Sequence, residues 1–175
     1  SIAQKDSIKN ILVVGAGLSG LEVADALHSH GKNVTLVEKE EFILPHQFTP
    51  KAADFLLNRI IDCGVSLYTD TVIIDVVRQG KNLVEVMLSN GTTCQVDAVI
   101  CAFGAIPNSQ IASAAGLLVD NGAIVTDQYL QTSDPCIFAA GDVAQVTEKL
   151  TGNRIKSHAW PDALQQGMHA AANMV

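Results

Sequence analysis

The sequence predicts an α/β protein, in which helices cover a parallel sheet and a three-stranded antiparallel meander is inserted into that framework. Apolar segments at 11–14, 33–37 and 97–103 alternate with segments of helical period, as expected of a parallel sheet buried on both faces. Between residues 72 and 96 the pattern changes to short alternating segments, and Asn90-Gly91 adds a strong hairpin signal.

The composition is that of a globular protein. Hydrophobic residues make up 48% of the 175 residues, and 18 acids against 11 bases give a net charge of −7. This acidic balance argues against nucleic acid or an anionic membrane as the main partner, because both bind clustered Lys and Arg. No apolar run approaches the roughly 18 residues of a membrane-spanning helix, and no signal sequence opens the chain, so we expect a soluble, cytoplasmic protein.

The chain begins with a strand–helix–strand unit. A strand at 11–14 leads into a glycine-rich turn and a helix at 18–29, and a second strand follows at 33–37. Such a unit implies a right-handed crossover. Thr49-Pro50 then predicts the start of a second helix, with a hydroxyl cap followed by proline, and this helix runs to about Asp62.

The meander follows a short strand predicted at 65–68. Its three strands are predicted at 72–78, 83–88 and 92–96. The first two are joined through Gln79-Gly80-Lys81-Asn82.

The last parallel strand, at 97–103, ends at Gly104. A strand that ends on glycine at the carboxyl edge of a sheet lies where α/β folds place their ligand crevice. A short helix at 108–115, a strand at 137–140 and a final helix from about Pro161 to Val175 are predicted beyond it.

A glycine-rich turn, Gly15-Ala16-Gly17-Leu18-Ser19-Gly20, joins the first strand to the first helix. Gly15 allows a tight turn, Gly17 leaves room for a pyrophosphate to approach the backbone, and Gly20 lets the helix pack closely on the strand. Free N–H groups and the helix dipole favour a phosphate there. A glycine-rich turn without a ligand is the alternative, but strand, glycines, helix, strand and acid in this order favour a dinucleotide site.

Glu38 closes the second strand roughly 20 residues after the last glycine, where an acid can accept hydrogen bonds from an adenosine ribose. A carboxylate there would repel a 2′-phosphate, so the sequence favours NAD over NADP. The adjacent Lys39 weakens that preference slightly.

The cysteines and histidines indicate no metal site. The cysteines have no metal-ligand spacing and are interpreted as small buried hydrophobes, and the five histidines form no ligand or triad pattern. No catalytic residue is assigned. The cysteines are Cys63, Cys94, Cys101 and Cys136.

Four segments together resemble the FAD-dependent pyridine nucleotide-disulfide oxidoreductases, with their rubredoxin reductase, NADH oxidase and nitrite reductase relatives. The resemblance covers nearly the whole chain, roughly residues 10–175. The first segment, Gly15-Ala16-Gly17-Leu18-Ser19-Gly20-Leu21-Glu22, is similar to the NAD motif of the family, and 102–108 resembles the segment that closes the NAD domain. Residues 132–144 are similar to the FAD motif, and 160–167 are similar to the helix whose start faces the flavin.

On the NAD side, the resemblance implies that Leu18 and Ser19 lie with the three glycines at the cofactor, and that Gly104 belongs to the closing segment. Glu22 has two interpretations of equal weight. It lies on the first turn of the first helix and complements the helix dipole, or it lies near the nicotinamide and flavin, as an acid at this place does in the family.

On the FAD side, the resemblance implies that Asp142 accepts a hydrogen bond from a ribitol hydroxyl and that backbone N–H groups near Gly141 are available to phosphate. The helix that begins at Pro161 and includes Ala163 would place partial positive charge near the flavin N1 and O2. Trp160 packs or shapes the flavin pocket.

The resemblance implies a Rossmann-like NAD-binding domain at 9–107 and the closing part of an FAD-binding domain at 108–175. Complete family members carry a first FAD half before the NAD domain, whereas ten residues precede the first buried strand here. We therefore expect a partial polypeptide that needs the missing FAD half or a second copy of the chain. Residues 123–175 should dock on that copy or fold back on the NAD domain, because their apolar surface is otherwise exposed.

The function implied by the resemblance is that of a flavoprotein oxidoreductase with FAD and NAD as cofactors. NADH would pass hydride to flavin, and electrons would move on to an unknown acceptor. The alternative is an NAD-binding module or inactive fragment without turnover.

Overall fold

A computed structural model describes residues 2–45, 47–79 and 83–174. The chain divides into two compact units, one ending at Phe103 and the other beginning at Gly104. The predicted α/β fold with an inserted antiparallel meander is confirmed. The predicted domain boundary after residue 107 stays a prediction.

The first unit is built around a four-stranded parallel sheet in the order β3-β2-β1-β7, the order typical of one half of a dinucleotide-binding fold. The central strand β1 (Asn10–Val14) pairs in parallel with β2 (Asn33–Val37) and with β7 (Ala98–Cys101), and β3 (Ser66–Tyr68) forms the other edge. Helix α1 (Leu18–Ser29) connects β1 to β2, and α2 (Pro50–Asp62) connects β2 to β3.

Alternating side chains of β1 bury both faces of this sheet. Ile11 and Val13 pack on one face in a cluster that includes α1, and Leu12 packs on the other face with Val86 and Leu88 of the meander. All five side chains are at most 1% exposed, so the sheet lies between a helical layer and the meander.

The meander consists of β4 (Ile73–Gln79), β5 (Leu83–Leu88) and β6 (Thr93–Val96), all antiparallel. Gly91 has a φ of 85° in the turn between β5 and β6, which agrees with the hairpin predicted from Asn90-Gly91. Residues 80–82 of the predicted link between β4 and β5 lie outside the described residues.

The second unit contains a sheet in the order β11-β10-β9-β8 and two helices. Its small core includes Ala112, Ile124, Ala139 and Ala144. The elements are α3 (Gln110–Ala114), β8 (Val119–Asp120), β9 (Ala123–Val125), a 3-10 turn at Gly141–Val143, β10 (Ala144–Thr147), β11 (Arg154–Ile155) and α4 (Trp160–Asn173).

The prediction of a strand at 137–140 is wrong. This segment forms a single antiparallel bridge, between Phe138 and Gln131. The Ala139 N–H donates to the Leu130 carbonyl at 3.0 Å, and the Ile137 carbonyl accepts from the Thr132 N–H at 2.9 Å. The segment therefore folds back on its own preceding turn and adds no strand to a sheet. The predicted end of the last helix, Val175, lies outside the described residues.

The cysteines are less buried than predicted, because three of them lie where elements end or turn. Cys63 follows the last residue of α2, Cys101 ends the edge strand β7, and Cys136 lies in a turn; all three are exposed. Cys94 is partly buried in the meander, and this burial raises the pKa of its thiol.

Thr49 precedes α2 as predicted, with Pro50 in the first turn. Its hydroxyl makes no capping hydrogen bond, and its carbonyl instead accepts the N–H groups of Ala52 and Ala53 at 3.0 Å. None of the helices in the described parts of the chain has the length and apolar character to span a bilayer.

Candidate functional site

The turn between β1 and α1 requires glycine at its first position. Gly15 has a φ of 100°, and its N–H donates to the Val37 carbonyl at 2.7 Å. A Cβ atom added there would lie 2.6 Å from the carbonyl oxygen of Ala102, just after β7. The chain therefore turns off the sheet in a space bounded by the backbone of both neighbouring strands.

The other two glycines of the turn have opposite surroundings. A Cβ atom on Gly20 would lie 1.8 Å from the Gly15 carbonyl oxygen, so the first turn of α1 packs directly on the glycine-rich turn. Around Gly17, by contrast, no heavy atom of the described residues beyond its immediate chain neighbours lies within 4 Å of an added Cβ. The backbone at Gly17 is open for a ligand to approach.

The N-terminus of α1 has the properties of an anion site. The helix has 12 residues, its N-cap is Gly17, and within the described residues no side chain caps it. The first N–H groups of an α-helix have no intrahelical acceptor, and the helix dipole places partial positive charge beside them. Leu18 and Ser19 are exposed in this first turn, so these donors face an accessible surface.

Glu38, directly after β2, is 6% exposed. Its Oε2 accepts the Ala16 N–H at 2.6 Å, and its Oε1 accepts the Glu40 N–H at 3.0 Å. The carboxylate therefore ties the glycine-rich turn to the end of β2, and each oxygen keeps a lone pair for a further donor such as a ribose hydroxyl. Lys39 is exposed, and its ammonium lies 3.3 Å from the Glu40 carboxylate.

Glu22 lies in the second turn of α1, not in the first as predicted, because the helix begins at Leu18. Its side chain is exposed. This position weakens the interpretation that Glu22 serves the helix dipole, whose effect falls off within the first turn.

In the second unit, Gly141 opens a 3-10 turn with a φ of 79°. Its own N–H donates to Oε1 of Gln166 at 2.8 Å, so the availability of N–H groups near Gly141 to phosphate stays a prediction for the neighbouring groups. A Cβ atom added at Gly141 would lie 3.5 Å from the Cβ of Ala163, so α4 packs closely on this turn. Gln166 lies one helical turn after Ala163, within the segment similar to the flavin helix, and its sequence position alone gives no signal for this contact.

Asp142 follows with an exposed carboxylate, 3.6 Å from Nδ1 of His158. The sequence predicts no role for His158, because the five histidines form no ligand or triad pattern. Trp160 and Pro161 begin α4, with Trp160 75% exposed. Gly141, Asp142, Ala163 and the start of α4 are thus brought together.

Gly104 is exposed with a φ of 95°, and no atom of the described residues lies within 4 Å of a Cβ added there. Among the described residues, no group of three or more His, Cys, Asp or Glu side chains is arranged to hold a metal ion.

Comparison with known proteins identifies the family. Residues 1–167 match the family described as pyridine nucleotide-disulphide oxidoreductase. The chain is 41% identical, over 95% of its length, to the ferredoxin–NAD(+) reductase component of 3-phenylpropionate/cinnamic acid dioxygenase from Photorhabdus laumondii, of which it covers 42%. The chain thus spans about two fifths of this curated relative.

Two solved structures show the same fold. A NAD-dependent persulfide reductase from A. fulgidus superimposes with a TM-score of 0.92 at 32% identity, over 99% of this chain and 32% of that protein. The water-forming NADH oxidase from Lactobacillus brevis, solved with NADH bound, gives a TM-score of 0.89 at 28% identity, over 99% of this chain and 38% of that protein. The resemblance inferred from the four segments is confirmed, and the chain belongs to the pyridine nucleotide-disulphide oxidoreductase family.

Proposed function

We propose that this chain binds NADH at the glycine-rich turn and is part of an FAD-dependent NADH oxidoreductase. The observation that carries the proposal is the juxtaposition of open backbone at Gly17, the uncapped N-terminus of α1 and the Glu38 carboxylate at one edge of the parallel sheet. This is the combination that recognises a pyrophosphate and an adjoining ribose. The family uses FAD and NAD(H).

In this proposal the residues of the chain bind and orient the cofactors. The first N–H groups of α1 hold the pyrophosphate, and Glu38 accepts hydrogen bonds from the adenosine ribose. Bound NADH supplies a hydride, for which flavin is the acceptor. Hydride transfer needs no nucleophile or general base from the protein, and we assign none.

The second unit supports a role in holding FAD. The exposed Asp142 carboxylate is suited to a ribitol hydroxyl, and the start of α4 lies beside it. Nδ1 of His158 lies 3.6 Å from that carboxylate. The electron acceptor is not specified by these residues; the relative from Photorhabdus laumondii is a ferredoxin reductase component.

The test is a titration of the purified chain with NADH, followed by nucleotide fluorescence, together with a visible absorption spectrum. We expect a colourless chain that binds NADH, and NADH-dependent flavin reduction only when the rest of an FAD domain is supplied. A colourless chain that binds NADH but never supports flavin reduction would favour the NAD-binding module. A chain that does not bind NADH would refute the proposal.

We further propose that α4 docks on the remaining FAD half or on a second copy of the chain. Trp160, Leu164 and Met168 recur every four residues on α4 and are 75%, 48% and 60% exposed. An apolar helix stripe of this kind is typical of a contact surface. Sedimentation of the chain alone should show a dimer, and a monomer at all concentrations would exclude the second copy.

We place the protein in the cytoplasm, where NADH is supplied to such enzymes. Fractionation of cells that produce the protein, followed by immunodetection, tests this assignment. Recovery with a secreted or membrane fraction would contradict it.

A further inference from the structure

The carboxyl end of β2 carries an excess of negative charge. Glu38, Glu40 and Glu41 are acids, and Lys39 is the one base in this run of four residues. In the proposed NADH complex this segment lies beside the adenosine ribose, where NADPH would add a 2′-phosphate. Lys39 directly follows Glu38 and is the one cation of this segment, so it is the residue here whose charge can offset that phosphate.

Lys39 is held in an ion pair. Its Nζ lies 3.3 Å from Oε1 of Glu40, and the two side chains are 72% and 46% exposed. Glu40 is in turn fixed by its backbone, because its N–H donates to Glu38 at 3.0 Å and its carbonyl accepts the Asp70 N–H at 2.9 Å.

A second backbone hydrogen bond fixes the same segment at Glu38. The Thr71 N–H donates to the Glu38 carbonyl at 2.9 Å, and Thr71 is 3% exposed. The segment after β2 is therefore pinned against the loop after β3. The Glu40 carboxylate is presented to Lys39 by an ordered backbone and not by a mobile loop.

We propose that Glu40 is a specificity-determining residue, which disfavours NADPH by engaging the ammonium of Lys39. This inference rests on the proposed NADH site and names a second residue, besides Glu38, that sets the choice of dinucleotide. Glu38 rejects the 2′-phosphate by direct repulsion. Glu40 withholds the cation that would otherwise compensate for that repulsion.

The test is the ratio of NADH and NADPH dissociation constants, measured by fluorescence titration at low salt. Glu40→Gln frees Lys39 without removing a side chain, and an exposed ion pair of this kind corresponds to a factor of about two to five in affinity. We expect NADPH to bind about two- to fivefold tighter to this variant, with NADH affinity little changed.

Glu41→Gln is the matched control, because it makes the same change of charge at the next residue outside the ion pair. We expect it to raise NADPH affinity less than Glu40→Gln does. The double variant Lys39→Gln/Glu40→Gln should lose the gain. In about 1 M salt, where screening acts over about 3 Å, the difference between the Glu40 and Glu41 variants should disappear.

Equal gains from Glu40→Gln and Glu41→Gln, or a gain that survives removal of Lys39, would overturn the ion-pair inference while leaving the NADH site intact. An unchanged ratio in Glu40→Gln, in a chain that binds NADH, would overturn it as well. A wild-type chain that binds neither nucleotide would overturn the proposed function and this inference with it.

Discussion

Replacing Gly15 with alanine tests the geometry of the glycine-rich turn most directly. The residue has a φ of 100°, which side-chain-bearing residues rarely adopt. The added methyl group would also lie 2.6 Å from the Ala102 carbonyl oxygen and 2.9 Å from its carbon. Both atoms belong to backbone held in the parallel sheet, because the Ala102 N–H donates to Val14 at 2.7 Å. Relief therefore requires the turn or the end of β7 to move.

The expected cost follows from these two penalties. A left-handed backbone costs a non-glycine residue roughly 1–3 kcal/mol, and forcing a methyl group into filled space costs roughly a further 1–3 kcal/mol. One backbone shift relieves part of both, so we expect a loss of about 2–5 kcal/mol in the free energy of unfolding. For a chain of this length, that corresponds to a fall in Tm of roughly 5–15 °C.

Gly17→Ala is the matched control two residues away. Its φ of −74° suits any residue, and the added methyl group meets no atom of the described residues within 4 Å beyond its immediate chain neighbours. Alanine is a poorer helix N-cap than glycine, which destabilises the fold, but it also lowers the conformational entropy of the unfolded chain, which stabilises the fold. These two effects nearly cancel, so the free energy of unfolding should change by no more than about 0.5 kcal/mol. The methyl group should nevertheless weaken NADH binding, because it occupies the space through which the pyrophosphate is proposed to approach the backbone.

Thermal unfolding followed by circular dichroism measures the first effect, and NADH titration measures the second. The reasoning is refuted if Gly15→Ala melts within about 2 °C of the wild type. It is also refuted if Gly17→Ala is destabilised as strongly as Gly15→Ala.

Two further substitutions test polar contacts in the first unit. Asp97 Oδ2 accepts the N–H groups of Asn10 and Lys9 at 2.9 and 2.8 Å, and these bonds lower the pKa of its carboxyl below 3.8. The stabilisation by the charged carboxylate is therefore present at neutral pH and is lost as pH falls through its folded-state pKa. Asp97→Asn should lower the urea midpoint of unfolding at pH 7, and the difference from the wild type should shrink below about pH 4. A difference that stays constant with pH would contradict this assignment. Glu38→Gln should lose about 1–3 kcal/mol of stability, because its amide nitrogen cannot accept one of the two backbone N–H groups, and an unchanged urea midpoint would show that this carboxylate is not structural.

The first unit was predictable from sequence because its elements carry strong local signals. The bounds predicted for α1, β2, α2 and β5 agree with the structure to the residue or nearly so. Glycine, the Thr49-Pro50 pair and the change of hydrophobic period each act over a few residues, where local physics decides conformation. The strand predicted at 137–140 failed because strand formation depends on a partner, and Phe138 finds one in its own preceding turn.

The sequence predicted which residues make up the candidate site, but it did not predict the hydrogen bonds among them. The order of glycines and acid selects Gly15, Gly17, Gly20 and Glu38, and their positions at one edge of the sheet follow from parallel strands. Which N–H groups the Glu38 carboxylate accepts, however, depends on how the turn folds over the end of β2. The engagement of Gly141 by Gln166 likewise joins residues 25 positions apart, for which the sequence offers no local signal.

The central strand β1 pairs with two strands that lie at very different sequence separations from it. Contact with β2 joins Asn10 to Asn33, 23 residues apart, whereas contact at the start of β7 joins Lys9 to Asp97, 88 residues apart. Closing the longer loop costs about 1 kcal/mol more in chain entropy, so we expect β7 to add to the sheet late in folding. The backbone after β7 is also what confines Gly15. We therefore expect the glycine-rich turn to take its final shape only when β7 has joined the parallel sheet, which would couple the proposed NADH affinity to completion of this unit.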